Sequence, residues 1–378
     1  MSTLVNLVVE LDTTATLPPV PQVEISEPAP ADDRVLAWID DEFSPTWSSE
    51  AAAGATLVAR HVTTPIGFVT IAARGLKFRW LAGLGKEQDV GLFGPFGVAV
   101  HQRKSGLGEA LLRVALAALA QRGYARALIP AVSGDSLIRY YVDAVGARVA
   151  ERFDRAALLA PPPRTLVMAS GNGSNLQAVL DASAEGTLPI EIAALICNNP
   201  GALAIERARR ADVPIVSVLS WDRGRESRAQ YDGRLLEAAR ACEPNLVLLL
   251  GWMHLLGASF VEAFPDLLNL HPAYLPLDPD QDSVVMPDGT RITAFRGPRA
   301  VRDALASASR WMGATVHRVT RATDRGPVLA RKPLRVEPGE EEATLMERVH
   351  GVEQKLVPAA VTRWLFERPA DDRKENRQ

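Results

Sequence analysis

Residues 165–176 read Thr165-Leu166-Val167-Met168-Ala169-Ser170-Gly171-Asn172-Gly173-Ser174-Asn175-Leu176, an uncharged run that breaks into small polar residues. The run suits a strand covered on both faces; glycines then release the chain, and a helix is expected from Asn175. The pattern recurs downstream. Ile190 to Cys197 reads as strand, Ala202 to Ala211 as helix, Pro214 to Leu219 as strand, Arg228 to Cys242 as helix, and Asn245 to Leu250 as a strand ending at Gly251. Such alternation predicts an α/β, Rossmann-like domain with a mostly parallel sheet between helices. Ligands of these sheets bind beyond the carboxyl ends of the strands.

The loop Ser170 to Leu176 falls at such an end. Small residues let backbone amides approach a ligand, and a helix N-terminus favours an anion. Ser174 or Asn175 can also cap the helix, which is compatible with holding a phosphate. A dinucleotide site does not fit, because Leu176 stands where a third glycine is needed. The second strand also ends in Asn198-Asn199, with no acid for a ribose. A monophosphate suits the loop better.

A second constellation lies further on. In Leu267-Leu268-Asn269-Leu270-His271-Pro272 an amide and an imidazole sit two residues apart, so an extended chain points both to one side. Pro272 favours extended geometry at His271. With a carboxylate such as Asp324, in Ala322-Thr323-Asp324-Arg325-Gly326-Pro327, they could stabilise an oxyanion and manage its proton. Taken alone, an Asn and a His at a strand end are more often satisfied structural groups.

The chain has 378 residues, room for two domains, and a net charge of −3, which gives no basic field to draw nucleic acid. Ala160-Pro161-Pro162-Pro163-Arg164 is a stiff connector. We therefore expect one domain over 1–160, a second over 164–368, and a disordered charged tail over 369–378. Cys197 and Cys242 lack metal-ligand spacing and read as buried thiols in a reducing compartment; no metal site is expected. No secretory leader or membrane-long apolar run is present, so a cytoplasmic protein acting on small molecules is expected, with no membrane partner. Its oligomeric state is left open.

The second domain resembles glycinamide ribonucleotide formyltransferase. The resemblance runs from about Arg164 to Phe366 and rests on motifs in order. These are Ser170 to Gln177, Ser227-Arg228 with Tyr231-Asp232, Gly251-Trp252-Met253, Asn269 to Pro272, Gly313-Ala314-Thr315-Val316-His317, and Asp324 to Pro327. It implies formyl transfer from 10-formyltetrahydrofolate to the amine of glycinamide ribonucleotide in purine biosynthesis. Asn269, His271 and Asp324 match its catalytic residues. Gly173, Ser174, Asn175 and Arg228 match its phosphate-holding groups, and Glu353 a carboxylate at the glycinamide end. Met253 and Leu255 sit where the family lines its folate pocket. Two departures stand out. His350 replaces an expected glutamine beside the substrate, and Leu277 to Ala294 is an insertion that reads as a β-hairpin turning at Asp288-Gly289. The hairpin could cover or narrow the site, so formylation of another amine is the alternative.

In the first domain, strands are expected at Leu4 to Leu11, Thr56 to Arg60, Ile66 to Ala72 and Phe96 to Val100, and a helix to about Arg122. The turn Arg103-Lys104-Ser105-Gly106-Leu107-Gly108 could wrap a pyrophosphate. It resembles the coenzyme A loop of GNAT acetyltransferases, an α+β fold. The resemblance implies acetyl-CoA binding through Arg103, Gly106 and Gly108, with a late tyrosine, Tyr140 or Tyr141, as general acid. A main activity of acetyl-CoA-dependent acetylation is a further alternative. So is a degenerate domain kept for docking or regulation.

Overall fold

The computed structural model describes residues 3–12, 23–27 and 29–368. The chain divides at the proline connector: residues up to Leu159 form one unit and Ala160–Arg363 a second, with Trp364 onward grouped with the first. The second domain thus closes before Arg368, the expected boundary, because Phe366 packs on Trp80 and Arg368 donates to the Leu159 carbonyl. The tail expected over 369–378 lies outside the described residues.

The first unit holds β1 (Thr3–Glu10), β2 (Glu24–Ile25), α1 (Asp33–Glu42), α2 (Trp47–Ala51), β3 (Ala55–His61) and β4 (Thr64–Ile71). It continues with β5 (Val90–Val98), α3 (Leu107–Gln121), β6 (Arg126–Val132), α4 (Asp135–Val145), β7 (Arg148–Asp154) and α5 (Arg155–Leu159). One sheet takes the order β2-β3-β4-β5-β6-β1-β7. Pairing is antiparallel except between β5 and β6, which run parallel over Val90–Leu92 only. The fourth expected strand starts earlier than its sequence suggested. Gly91, Gly94 and Pro95 interrupt its apolar pattern, yet a side chain at Gly91 would collide with Leu119 and Tyr124. Val100, expected inside that strand, lies in a 3-10 turn.

The second unit runs β8 (Arg164–Ala169), α6 (Ser174–Ala184), β9 (Glu191–Cys197), α7 (Leu203–Arg210), β10 (Ile215–Val218), α8 (Arg228–Ala241) and β11 (Leu246–Leu249). Then come α9 (Ala258–Ala263), β12 (Leu267–His271), β13 (Ser283–Val285), β14 (Arg291–Thr293), α10 (Ala300–Ala306), β15 (Trp311–Arg318), β16 (Val328–Arg335) and α11 (Glu342–Glu367), whose residues from Trp364 group with the first unit. Its sheet order is β10-β9-β8-β11-β12-β15-β16. Strands β10 to β12 pair in parallel, and β15 and β16 add antiparallel edges. This is the mostly parallel Rossmann-like sheet that the alternation predicted. Apolar strand residues such as Leu166, Met168, Ile196 and Val247 are buried against Tyr231 and Leu235 of α8. Cys197 and Cys242 are free and buried. Among the described residues, no helix is long and apolar enough to cross a membrane.

The insertion folds as read. β13 and β14 pair antiparallel, and Gly289, with φ +85°, turns the chain while Met286 N–H donates to the Thr290 carbonyl at 2.8 Å. Val284, Met286 and Ile292 are buried, and Asp288 accepts from the Trp311 indole N–H at 2.9 Å. The hairpin is packed rather than loose.

Candidate active site

β12 ends where the sheet meets the loops, and it carries Asn269 and His271 as its third and fifth residues. On the neighbouring β15, His317 stands opposite Asn269 and Thr315 opposite His271. Cross-strand partners share a face, and the Asn269 amide nitrogen lies 3.2 Å from His317 Nε2. Thr315 accepts from Leu275 N–H at 3.0 Å and donates to the Ala273 carbonyl at 2.7 Å, fixing the turn after Pro272.

Asp324 reaches this pair from the loop between β15 and β16, with a left-handed φ of +52° that aspartate tolerates better than most residues. The loop can approach so closely because of Gly326, where a side chain would strike the Arg318 carbonyl. One Asp324 oxygen lies 3.6 Å from His271 Nδ1 and accepts from Gly297 N–H at 2.8 Å. The other lies 3.5 Å from His317 Nε2 and accepts from the Asn269 amide at 3.4 Å. Burial would raise the Asp324 carboxyl, but His317, the His271 charge and the Gly297 amide outweigh it and hold it down at about 2. The carboxylate is ionised at any physiological pH.

His271 Nε2 lies 2.7 Å from the Phe295 carbonyl, which can only accept, so that nitrogen carries a proton. Burial pushes the imidazole pKa down, with Asp324 and the Phe295 carbonyl pulling the other way. The ring therefore rests neutral near pH 7. His317 was quoted in a motif but not singled out as a site residue. Its place beside Asn269 comes from the pairing of β12 with β15.

In the expected phosphate loop, α6 starts at Ser174, and its cap is Gly173 in left-handed geometry, not the side chain of Ser174 or Asn175. Glycine is required there twice over, by φ +77° and because a side chain would meet the Ala204 backbone of α7. Asn175 is instead buried and donates to Glu353 of α11 at 2.8 Å. Its own carbonyl oxygen has no hydrogen-bond partner among the described residues. Glu353 is pushed up to about 7 by burial, against the Asn175 bond. His350 Nε2 lies 4.0 Å away, and burial lowers that imidazole. Asn175, Glu353 and His350 thus meet as a cluster rich in acceptors and short of donors, which fits an amine.

Arg228 is less free than its sequence suggested. Its guanidinium donates to Asp232 at 2.7 Å and to the Leu255 carbonyl, and stacks over Trp221 and Tyr231. Met253 and Leu255, 60% and 70% exposed, project from the loop after β11, and Met253 N–H donates to Ser170. Among the described residues, no group of three His, Cys, Asp or Glu could hold a metal.

A parallel α/β sheet with an amide, imidazole and carboxylate at the end of one strand defines an acyl-transfer type of site. Residues 163–361 match the formyl transferase family, and the chain belongs to it. Phosphoribosylglycinamide formyltransferase of Mycobacterium tuberculosis is 39% identical over 201 residues, 53% of this chain and 84% of its own. The enzyme of that name from Bacillus subtilis is 30% identical over 200 residues, 53% of this chain and 93% of its own. A solved structure, glycinamide ribonucleotide transformylase 1 from Symbiobacterium toebii, is 33% identical with a TM-score of 0.47 over 54% of this chain and 88% of that one.

The buried Glu353 gives a prediction about stability. Its folded pKa lies above the unfolded value of 4.5, so the folded state binds the extra proton, and stability falls as pH rises from about 4.5 to about 7. Glu353→Gln keeps a carbonyl acceptor for Asn175 and removes that slope. It should gain about 3 kcal/mol relative to wild type across this window. Urea melts at pH 5 and pH 8 measure it; parallel pH dependence in both proteins would contradict the buried-acid account.

Proposed function

We propose that the protein transfers the formyl group of 10-formyltetrahydrofolate to the amine of glycinamide ribonucleotide, a step of purine biosynthesis. The observation that carries this reading is the convergence of Asn269, His271 and Asp324 at the end of β12. The relatives' shared name supports the acceptor. In the reaction, the amine lone pair forms a bond to the formyl carbon and the carbonyl electrons move onto oxygen. The Asn269 amide N–H stabilises that oxyanion, aided by the positive charge on His271 once its ring is protonated. The neutral imidazole takes the proton shed by the amine, and Asp324 stabilises the imidazolium so formed. As the carbonyl re-forms, the bond to folate N10 breaks and N10 takes the proton. Glu353 and the open Asn175 oxygen suit the glycinamide end, and the amides of Gly173, Ser174 and Asn175, with Arg228, suit the phosphate. Met253 and Leu255 offer apolar surface to the folate ring.

The test is formation of tetrahydrofolate and a formylated product from 10-formyltetrahydrofolate with glycinamide ribonucleotide, beside a panel of other amines. Preference for another amine would keep the chemistry and replace the acceptor. Release of formate without an acceptor would replace the reaction with hydrolysis.

The first unit favours a second reading, acetyl-CoA binding by a GNAT-like fold. Its support is the β5–α3–β6 arrangement: parallel pairing stops at Leu92, and a turn with left-handed Lys104 and Gly106 opens α3. The Tyr140 hydroxyl lies by Gly108, whereas Tyr141 is buried in the core, which supports Tyr140 rather than Tyr141 as the candidate acid. Gly106→Glu puts an acid and a side chain in that turn and should abolish acetyl-CoA binding by the full chain, leaving formyl transfer unchanged. Calorimetry reads the binding; no heat with wild type would remove the acetyl-CoA reading.

A further inference from the structure

The hairpin's tip and its root behave differently. The tip is packed on Trp311, whereas the root reaches the loop that carries Asp324. Asp282 Oδ1 accepts from Arg296 Nη1 at 2.7 Å and from Arg325 Nη2 at 2.5 Å. The same two arginines donate to carbonyls of the insertion, Arg296 to Gln281 at 2.7 Å and Arg325 to Pro279 at 2.6 Å. Arg296 Nε also donates to the Asp324 backbone carbonyl at 3.2 Å. Arg325 follows Asp324 in sequence, so both arginines tie the insertion to the loop segment that carries this carboxylate.

We propose that Asp282 is a positioning residue for formyl transfer: it engages Arg296 and Arg325 so that the Asp324 carboxylate stays with His271, His317, Asn269 and the Gly297 amide. The proposal rests on the formyl-transfer reading above. The Arg296 side chain is only 14% exposed, so it cannot rely on water to solvate its charge. Without Asp282, Arg296 is left with Asp324 as a carboxylate whose charge already acts on it, and a forked guanidinium is a stronger partner than an imidazole at 3.6 Å. That exchange would neutralise the group meant to stabilise the imidazolium. The groups facing His271 are Asp324, His317, Arg296 and the Phe295 carbonyl; Arg296 already disfavours its protonated form. The insertion supplies the counterion that restrains this effect. It also ties down the left-handed turn at Asp324, through the Pro279 and Gln281 carbonyls.

The experiment uses the full chain, as wild type, Asp282→Ala, Asp282→Asn and Asp282→Glu. The readouts are steady-state kinetics and NMR titration of the His271 ring, assigned by its loss in His271→Asn. In Asp282→Ala we expect kcat to fall at least about tenfold with KM for both substrates within about twofold, and the His271 titration to move down by about half a unit or more. Asp282→Asn, which keeps the shape and removes the charge, should shift the titration likewise. Asp282→Glu should recover most of the rate. An unchanged titration in both Ala and Asn variants overturns the proposal, as does a loss confined to KM. If Asp282→Ala does not fold, Asp282→Asn decides. If wild type formylates no amine, the functional reading falls, while the titration still decides whether Asp282 guards Asp324.

Discussion

His271→Ala should lower kcat for formyl transfer by about two to three decades, equivalent to about 3–4 kcal/mol of barrier, with folate KM changed only a few-fold. The ring lies between the Asp324 carboxylate and the Phe295 carbonyl at the strand end, so its removal takes away the acceptor for the amine proton and the positive charge that forms beside the oxyanion. His317 cannot substitute by simple rotation, because its Nδ1 lies 2.9 Å from the Arg318 backbone carbonyl and its Nε2 already faces Asn269 and Asp324. Since the resting imidazole is neutral and its pKa lowered by burial, wild-type rate should fall as pH drops through a value below 6.5. The alanine variant should lose that limb. Single-turnover measurement across pH 5 to 8 reads both effects. A variant within tenfold of wild type would mean that Asn269 and backbone groups carry the oxyanion without the imidazole.

Much of this site was legible in the chain because its parts follow short-range rules. The i, i+2 spacing of Asn269 and His271 survives folding because β12 is extended, and the Asp288-Gly289 turn specifies a hairpin whatever surrounds it. The strand at Thr165 to Ala169 is similarly fixed by its own apolar residues. What could not be read depends on distant partners. Gly91 and Gly94 look like strand breakers until Leu119 and Tyr124 occupy the space a side chain would need at Gly91. Arg228 looks wholly free for phosphate until Asp232 and the Leu255 carbonyl engage two of its nitrogens, Nε and Nη2. His317 differs, because strand pairing with Asn269 decides its place and pairing is set by the whole sheet. The charge state of His271 needed the burial of its ring, and no local motif encodes that.

Asp324→Asn should cost at least about two decades in kcat, and it should do so with a signature that a merely structural residue would not give. The amide still offers an oxygen to Gly297 N–H, so the loop keeps its main anchor at 2.8 Å. The negative charge is what disappears. Asp324 is the largest influence favouring the protonated form of His271, so without it the ring's pKa falls further. The acid limb of the rate profile should therefore move to lower pH while the plateau drops, because the imidazolium formed during transfer has lost its counterion. Stability gives a second reading of the same charge. Its folded pKa of about 2 lies below the unfolded 3.8, so the carboxylate's contribution is present above about pH 4 and lost as pH falls through about 2. With the side chain only 9% exposed, that contribution is about 2 kcal/mol, and the variant should be weaker by this order at pH 6 and converge on wild type near pH 2. Denaturant midpoints at the two pH values test the second claim, and stopped-flow rates the first. Full activity with an unmoved acid limb would reduce Asp324 to a loop anchor and remove the carboxylate from the mechanism.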